Sequence, residues 1–463
     1  QWVPVGEWAN TVNLLMASDD LPMITHVPEE NNVLFSAPQV QAVEDGLFKD
    51  LTPWLDSEDF AEDYPHLAKI PEEIWNTYTF QGKMYAIPRN TEPWTFSGMH
   101  IRRDLFEKLG YTVPDDLPTT MEEFTQILLE MTEEFDVYGF HMSRDSVDSE
   151  RTASLAEFSN AFTGVQGWGI NEDGEFFYHA FMPEYLFFLD WMKTLYDAGA
   201  INPEFPLGQN SGDWPNGKAG LRMFRWHIFH PAGEDKDYNW VGGDPSEEAP
   251  EDLFWLLIPP VQGPSGAWTV DANDGGWTKS MVSSDVADED VDKILKFIDY
   301  ISSEEYEEMT QYGPEGLGYH EMDEDGNKVT TDKWEEDGVY AWNWFGHRDR
   351  GYSADYWIGL LRDQHHTPEE HIAWVESVVE KIYEGYNEST GIRNLIYNLY
   401  SPTYAEYWSE LTARRTEMAT RYVFGEIGEE EWTAYVEEIT SDPLYQDIVD
   451  ELSEAYAEAL TSE

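Results

Sequence analysis

The sequence predicts an α/β chain in which strands alternate with helices early and helices dominate late. Three observations carry that reading. Residues 80–124 spell a hairpin, a strand and a helix in one fixed order. Short runs of strand formers bounded by turn residues then recur between stretches of helical periodicity as far as residue 302. Finally, residues 367–459 are mostly of helical pattern.

Taken in order, residues 12–16 read as a helix ending, or a strand, that runs into the polar loop ASDDLP. GLFKDLTPWL at 46–55 is a turn followed by an amphipathic segment. In FQGKMYAIP, Gln81-Gly82 supplies a turn, and Met84, Ala86 and Pro88 close a short strand. Residues 94–101 are apolar enough for another strand, and 104–109 form a helical turn or two ending at Gly110. Thr119 or Thr120 caps the next helix, with Glu122 and Glu123 in its first turn and Phe124, Ile127, Leu128 and Met131 on one face. NEDGEFFY at 171–178 places an acidic Asp-Gly turn between strand-like residues, and EMDEDGNKV at 321–329 repeats the device. Between them lies a helix over 183–198, with Leu186, Leu189, Met192 and Leu195 at helical spacing. The Gly, Pro and acid content of 233–251 predicts a surface loop. A strand at 254–258 ends in Pro259-Pro260, and 268–283 mixes glycine with strand formers. Helices follow at 290–302 and 304–311, the second stopped by Gly313-Pro314. No repeat of fixed period and no low-complexity linker interrupts the chain.

Composition narrows the function. The chain has 463 residues, which favours two large domains or three ordinary ones. It carries 92 acidic against 27 basic residues, a formal net charge of −65, yet 20 Trp, 26 Tyr and 23 Phe argue for a folded chain over a disordered one. A field of that sign repels phosphate backbones and anionic lipid, so nucleic acid is not an expected partner. No run of eighteen or more uncharged apolar residues spans a membrane, and no basic-then-apolar leader is present, so any export signal is expected to have been removed. The acids lie on predicted helix faces such as 288–292, 304–308 and 429–431, which suits a protein bathed in high salt or alkali. With no cysteine there are no disulfides, no thiol nucleophile and no Cys-ligated zinc.

The order of NLLMASDDLP, GLFKDLTPWL, QGKMYAIP, IRRDLFEKLGY with PTTMEEF, NGKAGLRM, VDKILKFIDYISSEE, QYGPEGLGY and FGEIGEEEWTAYVEEI resembles the extracellular solute-binding proteins (family 1 type) of carbohydrate ABC importers. Within them it resembles the large oligosaccharide-binding lipoproteins of Gram-positive bacteria. The resemblance implies a two-lobed periplasmic-binding-protein-like α/β fold of class II type, with an interlobe ligand cleft and a helix-rich C-terminal region. Crossings near 97–101, 268–276 and 313–319 are implied. Lobe I would then comprise 1–97 plus 272–313, and lobe II 98–271 plus 314–463. The implied activity is capture of an oligosaccharide outside the membrane and delivery to the permease subunits of an ABC transporter by lobe closure, as a monomer held by an N-terminal lipid in the precursor. No catalysis and no cofactor are implied. Relatives carry a lipid-bearing cysteine and a longer segment ahead of the first motif, where only about ten residues stand here, so a truncated N-terminus is expected. Many also carry an Asp-Asn-Gly calcium loop, but MTEEFDVYGF runs straight through that position, and calcium is not expected there.

Sugars are bound by aromatic faces against C–H-rich ring faces and by planar polar groups on the hydroxyls. Trp94, Trp168, Trp226, Trp277, Trp342 and Trp344 fall in loops at the expected lobe boundaries; core packing competes for any one of them, but at least two sugar contacts are expected from the set. Arg89, Arg222, Arg225, Arg348 and Arg350 occur in or beside the same loops and would clamp carboxylates or bridge vicinal hydroxyls, against the alternative of local charge balance. His227 and His347 are weaker members of the group, and Asp19 and Asp20 either accept sugar hydroxyls or cap a helix or turn. The expected ligand site is thus Asp19, Asp20, Arg89, Trp94, Trp168, Arg222, Trp226, His227, Trp277, Trp344 and Arg348. Arginine leans towards an acidic oligosaccharide, tryptophan alone towards a neutral one. No metal is expected: His365, His366 and His371 straddle a helix start with Thr367 as N-cap and Pro368 at its first turn, and Asp323, Asp325 and Asn327 lack the bidentate Glu of a calcium loop. The alternatives are a polysaccharide hydrolase or lyase, and a ligand sensor for a membrane kinase. With acids in nearly every loop, paired carboxylates carry no information about the first.

Overall fold

A computed structural model describes residues 8–28, 35–70, 72–80, 82–89, 97–140, 155–205, 216–225, 255–270, 278–322, 328–339, 358, 369–388, 396 and 399–462. The chain divides into two compact units, one of Gln1–Pro93 with Asp274–Ser353 and the other of Trp94–Asn273 with Ala354–Glu463. Each unit is therefore assembled from two stretches of sequence. The chain passes between the units at 93–94, 273–274 and 353–354. The third comes after residue 353, so 314–353 groups with the first unit where the sequence reading put it in the second. Lys328, in a hairpin of that segment, pairs with Glu308 of the preceding helix at 2.7 Å.

In the first unit, helix α1 (Trp8–Ser18) buries Val12 and Met16, one turn apart. It stops where Asp19 turns left-handed, at φ 53°, and the Asp20 N–H donates to Leu15 O. Strand β1 (Ile24–Pro28) pairs antiparallel with β11 (Thr278–Val282), which pairs antiparallel with β4 (Ala86–Pro88). The strand expected over 84–88 is two strands. Lys83–Met84 (β3) folds back on Thr79–Phe80 (β2) across Gly82 at φ 74°, while β4 joins the main sheet. Helix α2 (Ala37–Glu44) follows β1, and α7 (Asp288–Ile301) supplies core residues Val291, Leu295 and Ile298. Ser303 caps α8 (Glu304–Tyr312) by accepting from Tyr306 N, and α8 ends at Gly313, whose φ of 76° leaves no comfortable place for a side chain. The hairpin β12 (His320–Met322) and β13 (Lys328–Thr330) follows; its turn lies outside the described residues.

The second unit holds a four-stranded sheet in the order β10 (Trp255–Ile258), β5 (Ser97–Arg102), β9 (Ala219–Arg225), β6 (Tyr138–Phe140). Helix α3 (Arg103–Lys108) continues directly from β5, and Arg102 is locked by a two-pronged bond to Asp104, both arms 2.6 Å. Helix α4 (Met121–Glu134) is fixed by a capping box in which Thr120 accepts from Glu123 N, and it buries the face read from the sequence: Phe124, Ile127, Leu128 and Met131. Gly139 and Gly220 let α4 approach β6 and β9; a side chain at either would run into Leu128 or Met131. Helices α5 (Ala156–Thr163) and α6 (Pro183–Asp197) enclose the hairpin β7 (Trp168–Ile170) and β8 (Phe176–Tyr178) in sequence. Four further helices close the chain: α9 (Glu369–Glu388), α10 (Pro402–Val423), α11 (Glu429–Thr440) and α12 (Pro443–Ser462). Glu451 of α12 accepts from Ser401 and Thr403 at the head of α10, which ties the last helix to the third-last. Among the described residues no helix is long and apolar enough to cross a membrane.

Candidate functional site

Open α/β sheets take ligands outside the carboxyl ends of their strands, because connecting loops and unpaired backbone groups gather there. In the first unit β1 and β4, both antiparallel to β11, run the same way and end together at Pro28 and Pro88. The chain passes towards the second unit just after β4 and returns just before β11, and Arg89 N donates to Thr278 O at 3.2 Å where these two stretches meet the sheet. This end is rich in cationic and polar groups. Arg89 is 7% exposed. His26 bonds Ser280 Oγ through Nδ1 at 2.7 Å, and burial, reinforced by the charge of Arg89, pulls its imidazole down to about 4. His26 is therefore neutral at pH 7. Arg89 also acts on the Tyr306 hydroxyl, opposing the upward push of burial. Between Thr278 and Ser280 on β11, Lys279 is fully buried and donates to Gln39 Oε1 at 2.7 Å.

In the second unit β6, β9 and β10 share one direction, and their carboxyl ends lie where β5 begins: Ser97 pairs with Arg225. Arg222 stands opposite His100 in the register, and burial pulls its guanidinium down to about 10. It remains a cation at neutral pH. Each unit thus carries arginine on or beside strands that share one direction, Arg89 just past β4 and Arg222 within β9.

The expected site residues fare differently. Arg89 and Arg222 occupy those strand positions. Asp19 and Asp20 are exposed at the end of α1, where Asp19 serves as the left-handed helix stop. Trp168 is a core residue: 2% exposed, its ring stacks on Tyr445 at 5.8 Å and packs on Trp408 at 5.0 Å and Tyr178 at 5.3 Å. No face remains open for a sugar, so Trp168 is withdrawn as a ligand contact. Trp94, Trp226, His227, Trp277, Trp344 and Arg348 lie outside the described residues, as do Trp342, His347 and Arg350. The loop expected over 233–251, His365, His366 and the acids at 323–327 lie outside them too, whereas His371 is within α9. Among the described residues no group of three or more His, Asp or Glu is placed to hold a metal.

Sequence reasoning missed Lys279 and His26. The burial of every residue of TKSMV, Lys279 included, shows only in the structure.

No protein-family model matches the chain. It is 22% identical over 454 residues to lipoprotein LipO of Bacillus subtilis, covering 94% of this chain and 82% of that one. It is 23% identical over 475 residues to the polygalacturonan/rhamnogalacturonan-binding protein YtcQ of the same organism, covering 99% and 85%. Among solved structures it matches an HMO-binding, ABC-transporter-associated solute-binding protein from Bifidobacterium longum infantis, with a TM-score of 0.65 at 17% identity over 98% of this chain and 91% of that one. The chain has the α/β fold of the two-domain solute-binding proteins, as the order of its motifs implied.

Proposed function

We propose that this protein is an extracellular receptor that binds an oligosaccharide and delivers it to the permease of an ABC importer by lobe closure. The observation that carries the ligand class is Arg89, a nine-tenths buried guanidinium at the strand ends of a chain that is otherwise overwhelmingly acidic. A guanidinium can meet a carboxylate with two parallel charge-assisted bonds, which suits a carboxylate better than a hydroxyl. An acidic oligosaccharide is therefore the ligand, and the name of the polygalacturonan/rhamnogalacturonan-binding relative supports this. The reading is of binding without turnover, since the proteins of like fold are named as binding proteins. The receptor acts as a monomer, held at the membrane by an N-terminal lipid in its precursor, as the name of the lipoprotein relative suggests. Its acidic coat keeps it soluble in concentrated salt or alkali.

Calorimetric titration of the wild-type protein and Arg89→Gln with oligogalacturonate and its methyl ester tests the assignment. Loss of a hydrogen bond to a charged group costs about 1.5–3 kcal/mol, or about 10- to 100-fold in Kd. That loss is expected for the acid and not for the ester. Equal affinities of the two proteins for the acid would overturn it.

A further inference from the structure

We infer that Lys279 is a positioning residue for the ligand end of the first unit: with Gln39 it clamps the carboxyl end of β1 to the start of α2. The inference rests on the receptor reading and deepens it, since Lys279 acts through Gln39 and Pro28.

Lys279 lies in the middle strand of the sheet, opposite Val27 on one side and Pro88 on the other, with no exposed surface. Withdrawing an ammonium from water costs several kcal/mol even after the protein relaxes. Methionine or leucine would fill the same space without that cost, so the charge points to a role that packing alone does not explain.

The geometry supplies the role. Nζ donates to Gln39 Oε1 at 2.7 Å, stands 3.5 Å from Pro28 O, and lies 4.8 Å from the centre of the Phe35 ring. Gln39, itself fully buried, donates through Nε2 to Pro28 O at 2.8 Å, and its Oε1 also accepts from Ser36 N at 3.3 Å. One lysine and one glutamine thus join the last residue of β1, the Phe35 ring and the N-cap of α2. The junction stands at the strand ends that carry Arg89, because Pro28 and Pro88 close parallel strands flanking the same β11. A lysine that served packing alone would move global stability only. A clamp also governs local opening at Ser36 and the shape of the strand end that meets the ligand.

The test compares the wild-type protein with Lys279→Met and Gln39→Met by amide hydrogen exchange and by titration with oligogalacturonate. In both variants the Ser36 amide should exchange about tenfold faster or more while the α7 amides of Leu295 and Ile298 keep their protection. The oligogalacturonate Kd should rise about tenfold or more. Should Lys279→Met fail to fold, Gln39→Met carries the test with the lysine in place. Exchange at Ser36 within about twofold of wild type overturns the clamp. Faster exchange with unchanged affinity overturns the positioning role. If the wild-type protein takes up no oligogalacturonate, the acidic-ligand reading fails and exchange alone decides the clamp.

Discussion

His179 should make the protein acid-sensitive in a way that can be isolated from its surface carboxylates. The side chain sits in the second unit, ringed by Tyr178 at 5.0 Å and Tyr185 at 5.5 Å. Burial, and next the charge of Arg415, pull its imidazole from 6.5 to about 3, against an opposing bond to the Val165 backbone. Well above pH 6.5 the ring is neutral in folded and unfolded chains alike and contributes no pH dependence. Between 6.5 and about 3 only the unfolded chain takes up the proton, so folding stability falls as pH falls, by about 1.4 kcal/mol per unit. From well above pH 6.5 down to pH 4.5 the loss is about 2.7 kcal/mol. The carboxylates titrate over the same range, so the comparison is with His179→Gln, which lacks the proton but keeps the rest of the background. His26 is present in both proteins and cancels. Urea unfolding at fixed high salt, followed by tryptophan fluorescence, should give a stability difference that is flat above pH 7 and shifts by about 2.7 kcal/mol in favour of the variant by pH 4.5. A difference that does not change with pH would mean that His179 takes up its proton as readily in the folded chain as in the unfolded one.

Two further substitutions separate fold from function. Trp168→Ala removes a ring packed on Trp408, Tyr178 and Tyr445 and should cost about 3–5 kcal/mol in unfolding experiments; ligand affinity of the folded variant should be unchanged, and a selective loss of affinity would restore Trp168 to the site. Asp19→Gly relieves a left-handed backbone at φ 53° and should gain up to about 1 kcal/mol, read from the urea midpoint; a loss of stability would mean that the carboxylate contributes more than the cap.

How much of this was legible in the sequence depends on how local each signal was. Helix α4 could be read whole, because its cap, its first-turn acids and its buried face all lie within fifteen consecutive residues. The glycine-stopped helix at Gly313 and the Asp-Gly hairpin of β7 and β8 were legible for the same reason. The split between β3 and β4 was not, because a strand's partner is a non-local fact: Met84 pairs five residues back, whereas Ala86 pairs with Met281. Trp168 misled because a tryptophan beside glycines looks like a loop residue until α10 and α12 bring Trp408 and Tyr445 over it. Arg89 was found through its neighbours in sequence, but its position at the ends of β1 and β4 depends on β11, which arrives from almost two hundred residues away. Lys279 went unnoticed since nothing local separates a clamping lysine from an edge-strand lysine.

The proposed function is carbohydrate binding without turnover. It is tested most directly by melting the wild-type protein with a panel of acidic and neutral oligosaccharides at high and low salt, with reaction products assayed in the same tubes. A ligand at about a hundred times its Kd stabilises the native state by about 2.7 kcal/mol. Acidic oligosaccharides should give a saturable rise in melting temperature and no new products; cleavage products, or no shift with any sugar, would contradict binding without turnover.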